Sequence, residues 1–141
     1  MPDPLYVFLD SNIIFSAAYK CDSGFLELWN TPGILVMSSL YAANEVRRNC
    51  RNEQHLKRLE ALLEQTMIVS DPLQDALPSG IELPAKDRPI LASAVNAGAA
   101  FLITGDRNHF AQWMNRPIKT RYGSLIIMEP RPFMNLLKTL E

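Results

Sequence analysis

The sequence predicts an α/β fold: a three-layer α/β/α sandwich around a central parallel sheet of about five strands. Two observations predict it. Five short apolar runs, at 5–9, 34–37, 67–69, 101–104 and 125–128, alternate with helical patterns. Several of these runs are apolar throughout, which suits strands covered on both faces. Alternating strands and helices joined by parallel crossovers then place helices on both sides of the sheet.

Each element has its own justification in the chain. After the first run, 12–19 and 24–30 read as short helices, the second stopped by Thr31-Pro32-Gly33. Ser38 or Ser39 can cap a helix that runs to about Arg51. Leu56, Leu59 and Leu63 form the apolar stripe of the next helix, with Lys57, Arg58, Glu60 and Glu64 facing outward. Residues 71–84 hold Pro72, Pro78 and Pro84 and read as a loop. A helix follows over 85–97 and stops at Gly98; Pro89, which lacks an N–H, fits only its first turn. Beyond the run at 101–104, a short helix is expected over 109–114, and Pro132 opens a last helix ending near Leu140.

The chain has 141 residues, which sets one domain, 1–141, with room for a full core. It is 48% hydrophobic and 21% charged, an ordinary globular composition. A net charge of −1 argues against binding nucleic acid by counterion release alone, so any such contact must be local. Cys21 and Cys50 have no metal-ligand spacing and read as reduced, half-buried thiols of a cytoplasmic protein. No apolar stretch approaches the ~18 residues of a membrane span, so no membrane partner is expected.

Four acidic residues carry the chemical signal. Asp10 and Asp106 follow the first and fourth apolar runs, and Asp87 stands at a helix start. Glu45 lies in the helical segment YAANEVRR. In open α/β sheets ligands bind beyond the carboxyl ends of the strands, where strand order reverses. Like charges gathered there repel unless a divalent cation sits among them, and Mg²⁺ or Mn²⁺ accepts such oxygen ligands. A cation in that setting makes water a better nucleophile and neutralises charge on a phosphoryl group. Ser11 and Asn12 after Asp10, and Thr104 before Asp106, are the polar supports such ligands need. Taken singly, each acid is also read as a cap, a turn residue or a solvated helix carboxylate.

Together the segments VFLDSN, the helical Glu45, DRPILASA and LITGDRNHF resemble the PIN domain family, and the resemblance covers nearly the whole chain. It implies a metal-dependent endoribonuclease that uses Mg²⁺ or Mn²⁺ and leaves 5′-phosphate and 3′-hydroxyl ends. Asp10, Glu45, Asp87 and Asp106 would be its catalytic and metal-holding acids. Many small members of that family resemble VapC-type toxins, which implies an RNA substrate, a protein antitoxin and a homodimer. The chain departs from many relatives by carrying Asn108 and His109 where they place a further acid. His109 is read as a surface residue at a helix start, with substrate contact or proton transfer as its alternative. Arg48, Lys86 and Arg107 are the candidates for phosphate contact. The stripe of Phe15, Tyr19, Phe25, Leu28 and Trp29 is a candidate interface for a second subunit or an inhibitor helix.

Three other readings compete. An aspartyl phosphatase wants a second acid at the position of Asn12, and a receiver domain wants paired acids and a late lysine that this chain does not offer. A catalytically weak or inactive PIN-fold module that binds RNA or protein is the alternative from another class.

Overall fold

The computed structural model describes residues 3–72 and 77–139. The chain runs through β1 (Leu5–Leu9), α1 (Ser11–Tyr19), a 3₁₀ turn (Gly24–Leu26), α2 (Glu27–Asn30), β2 (Ile34–Ser39), α3 (Leu40–Asn49) and α4 (Glu53–Glu64). It continues through β3 (Met67–Val69), α5 (Arg88–Asn96), β4 (Phe101–Ile103), α6 (Arg107–Phe110), β5 (Pro117–Thr120), β6 (Gly123–Met128) and α7 (Pro130–Thr139). The six strands lie in the order β3-β2-β1-β4-β6-β5, and every neighbouring pair is parallel except β5 with β6. β1 to β3 step outward in one direction, and β4 returns to the other side of β1. Strand order therefore reverses between β1 and β4, which opens a crevice at their carboxyl ends.

The pleat divides β1 between two cores. Val7 and Leu9 pack on one face with Ile14 of α1, Val46 of α3, Leu59 of α4 and Phe133 of α7. Phe8 points the other way, onto Leu91 and Ala94 of α5 and Phe110 of α6. Helices on both faces make the three layers that the apolar strands call for.

The departures from expectation have local causes. β5 is a strand the sequence does not announce: its only buried residue is Ile118, and it leans on β6 through the two-residue turn Arg121-Tyr122. Pro117 is tolerated there because it opens an edge strand. β3 forms the opposite edge, so Met67 and Ile68 are exposed, not covered on both faces. β2 runs on through Ser38, whose hydroxyl donates to the Leu9 carbonyl oxygen at 2.8 Å, leaving Ser39 as the cap of α3. Residues 24–30 divide into a 3₁₀ turn and one α-turn.

On α4 the buried stripe is His55, Leu59, Leu62 and Leu63, whereas Leu56 is exposed. His55 earns its burial because its Nδ1 accepts from the Arg51 N–H at 3.0 Å and its Nε2 reaches the Phe15 carbonyl oxygen at 3.1 Å. α5 begins three residues later than expected: 85–87 form a turn closed by the Asp87 N–H on the Pro84 carbonyl oxygen, and Pro89 is the second helical residue. α6 starts at Arg107 and lasts one turn, and α7 opens at Pro130. Cys50 is half-buried but Cys21 is exposed. Part of the expected loop, at 73–76, and the expected helix end near Leu140 lie outside the described residues. No helix among the described residues is long and apolar enough to cross a membrane.

Candidate functional site

Asp10 is the first residue after β1 and the N-cap of α1, so the strand aims it and the helix start holds it. Its Oδ1 accepts from the Ser11 N–H at 2.7 Å, and its Oδ2 accepts from the Thr104 hydroxyl at 2.8 Å. Thr104 stands directly after β4 and is fully buried. The same hydroxyl oxygen accepts from the Asp106 N–H at 3.0 Å and from the Asn12 side-chain amide at 3.3 Å. Asn12 closes the loop by accepting from the Gly105 N–H at 2.9 Å. One buried hydroxyl thus ties the ends of β1 and β4 together and sets Asp10 beside Asp106. Thr104→Val, which keeps the shape and deletes the hydroxyl, removes three hydrogen bonds, to Asp10, Asp106 and Asn12. It is expected to cost about 1–2 kcal/mol, read as a lower urea midpoint at unchanged slope.

Asp106 caps α6 through Oδ1, which accepts from the His109 N–H at 3.2 Å. Its Oδ2 lies 2.6 Å from His109 Nδ1. Asp87 precedes α5 but makes no capping hydrogen bond; its Oδ2 instead lies 2.9 Å from the same Nδ1. Glu45 reaches the site from α3 and accepts a hydrogen bond from the Ser11 hydroxyl, which also lies 3.4 Å from Asp10 Oδ1. The four acids expected from the sequence therefore form two pairs, Asp87 with Asp106 around His109 and Asp10 with Glu45 around Ser11. Among the described residues, only Asp87 and Asp106 of the four belong to a donor group close enough to share one ion.

Burial and crowding mark the charges as costly. Burial, opposed by the hydrogen bonds from Thr104 and Ser11, raises the Asp10 carboxyl above its ordinary value, and the charges of Asp87 and Glu45 add to the rise. Burial also raises Asp87; the nearby charges of Asp106 and Glu45 push the same way, while His109 and Lys86 pull against them. The donor set fits a hard divalent cation. One oxygen each from Asp87 and Asp106 and a ring nitrogen of His109 lie within 4.8 Å of one another, and Asp87 Oδ2 is shut from solvent without a hydrogen bond.

The basic candidates differ in how free they are. Lys86 is exposed beside Asp87, and Arg48 is exposed on the same helix as Glu45. Arg107 is exposed as well but lies 3.4 Å from Glu129. His109 is a correction: it is half-buried between two carboxylates, not a surface residue. The clue in the sequence was the i, i+3 spacing from Asp106, which puts both side chains on one face of α6. Tyr41 is a further residue that sequence reading missed. Its phenol, raised first by burial and then by Glu45, feels Asp87 and Asp10 as well, and its hydroxyl lies 3.4 Å from the Lys86 carbonyl oxygen.

The expected interface stripe is only partly a surface. Leu28 is core, and the Trp29 ring N–H donates to the Thr66 hydroxyl at 2.9 Å. Phe15, Tyr19 and Phe25 do line a groove of about 850 Å³ between α1, the 3₁₀ turn and α7, together with Lys20, Arg51 and Arg131.

No family model matches the sequence, and no curated protein matches it significantly. Solved structures do match. The VapBC2 structure from Rickettsia felis, bound to a DNA fragment from its promoter, is similar over 89% of this chain and 98% of its own, with 17% identity and a TM-score of 0.63. The FitAB structure bound to the IR36 DNA fragment covers 88% and 94% at 19% identity and a TM-score of 0.57. Mycobacterium tuberculosis VapC20, a Sarcin-Ricin loop cleaving toxin, covers 75% and 94% at 16% identity and a TM-score of 0.52. The chain has the PIN-like fold of these VapC-type toxin structures.

Proposed function

We propose that this protein is a Mg²⁺- or Mn²⁺-dependent endoribonuclease and the toxin of a toxin–antitoxin pair, acting in the cytoplasm. The observation that carries the reading is the meeting of Asp87, Asp106 and His109, with a buried carboxylate oxygen of Asp87 left unpaired and Asp10 joined to the Asp106 backbone through the Thr104 hydroxyl. The fold is shared with a toxin that cleaves the Sarcin-Ricin loop, which supports RNA as the substrate class.

A divalent cation held by these acids supplies charge neutralisation and an activated water for phosphodiester hydrolysis. The chain's own residues do the rest. Thr104 and Ser11 fix both oxygens of Asp10, so that the carboxylate need not reorganise during reaction. Glu45, which accepts from the Ser11 hydroxyl, would hold the cation or take a proton from the attacking water. Lys86 and Arg48, exposed on the rim, neutralise the backbone phosphates of a bound strand.

The groove lined by Phe15, Tyr19 and Phe25 is the site proposed for an antitoxin segment, and a homodimer is the proposed assembly. The R. felis and FitAB neighbours are toxin–antitoxin structures, which supports the partner.

The test incubates purified protein with transfer and messenger RNA fragments in Mn²⁺ or Mg²⁺, with and without EDTA. Cleavage is expected only with the cation, leaving 5′-phosphate ends. Cleavage that persists in EDTA would overturn the mechanism. Binding of RNA without cleavage in either metal would mean a binding module.

A further inference from the structure

The geometry points to His109 as a nitrogen ligand of the cation that Asp87 and Asp106 hold, giving this site a preference for Mn²⁺ over Mg²⁺. The inference rests on the reading of the crevice as a metal site and adds a ligand that the acids alone do not supply.

His109 Nδ1 lies 2.6 Å from Asp106 Oδ2 and 2.9 Å from Asp87 Oδ2. A structural His–Asp pair would aim the ring N–H along one of those vectors. Neither contact has that alignment: His109 Nδ1 and Asp87 Oδ2 are both closed off from solvent and neither has a hydrogen-bond partner among the described residues. The Asp87 side chain is only 9% accessible. Buried polar atoms left unpaired are costly and normally find a partner. Here three donor atoms crowd one another.

A shared cation resolves the crowding. Neighbouring ligands of a six-coordinate cation at ~2.1 Å lie about 3 Å apart, close to what Nδ1 keeps from the two oxygens. The ligands are also held in place. The His109 N–H donates to Asp106 Oδ1, and the next residue, Phe110, is fully buried, so α6 has a fixed roll. Asp87 is anchored by the buried Ile90 and Leu91 of α5.

The choice of metal follows from donor type. Mg²⁺ takes oxygen and dehydrates reluctantly, whereas imidazole suits first-row transition ions. Two carboxylates with one imidazole therefore favour Mn²⁺, which accepts both donors.

Pulsed electron paramagnetic resonance on tag-free wild-type protein loaded with Mn²⁺ should show nitrogen coupling from a directly bound imidazole. The chain has two histidines. The other, His55, is fully buried with both ring nitrogens engaged, so the signal has one source. Calorimetric titration of His109→Asn, which offers an oxygen in place of Nδ1, should show Mn²⁺ affinity lower by about tenfold or more, with Mg²⁺ affinity nearly unchanged. The variant should lose the nitrogen coupling. Wild-type protein that binds Mn²⁺ without nitrogen coupling overturns the role of His109 but leaves the acidic site standing. Failure of the wild type to bind either ion at millimolar concentration overturns both. The resonance measurement needs no variant, so a misfolded His109→Asn would not spare the inference.

Discussion

Replacing Asp10 with asparagine is expected to lower RNA cleavage about 10³-fold, equivalent to about 4 kcal/mol of transition-state stabilisation. The substitution removes a charge and little else. Asparagine is as good an N-cap as aspartate, so the hydrogen bond from the Ser11 N–H, and with it the start of α1, should persist. At the other oxygen, an amide nitrogen would face a Thr104 hydroxyl that now donates to Asp10 and already accepts from Asp106 and Asn12. The network must give up a bond there, and the charge that would hold a cation is gone. Single-turnover cleavage of an RNA fragment, beside a melting curve, separates the two effects. Wild-type cleavage by a variant that melts normally would remove Asp10 from the chemistry.

Saturating Mn²⁺ is expected to raise the melting temperature by on the order of 10 °C, and EDTA to reverse it. A ligand at 100 times its Kd stabilises the native state by about 2.7 kcal/mol, and a domain of this size gains a few degrees per kcal/mol. The cation relieves a strain that the acids impose on the metal-free fold. Asp10 and Asp87 are both raised above the ordinary carboxylate value of 3.8, so the folded chain holds their protons more tightly than the unfolded chain does. Without metal, stability should accordingly fall as pH rises above 3.8 and on through their raised values. Asp87→Asn should then melt a few degrees above the metal-free wild type at neutral pH and lose most of the Mn²⁺ shift. A variant that melts lower without metal, or that keeps the whole shift, would show that Asp87 neither strains the fold nor holds the ion.

The parts of this protein that were legible in its sequence are those written in local pattern. Leu5–Leu9 is an unbroken apolar run, and it became the central strand. Pro89, which cannot donate an N–H, had to lie in the first turn of α5, and it does. Ser39 was one of two expected caps of α3 and makes that hydrogen bond, to the Ala42 N–H. Asp10 stands directly after one apolar run and Asp106 two residues after another, and a parallel sheet puts such residues on one edge.

Elsewhere the outcome depended on partners distant in sequence. Ile118 is the only buried residue of β5, so that strand exists because β6 is there to pair with it. His55 is buried and Leu56 exposed because the Phe15 carbonyl, from another helix, offers the imidazole a partner. His109 looked like a surface residue in LITGDRNHF because Asp87, 22 positions earlier, was not yet beside it. By itself the chain determined which residues carry charge at the ends of strands and helices, since chemical identity and local periodicity need no fold. Only the tertiary structure decided which of those charges meet, because strand order and crossovers, not sequence neighbours, set the distances over which carboxylates repel and ligands converge.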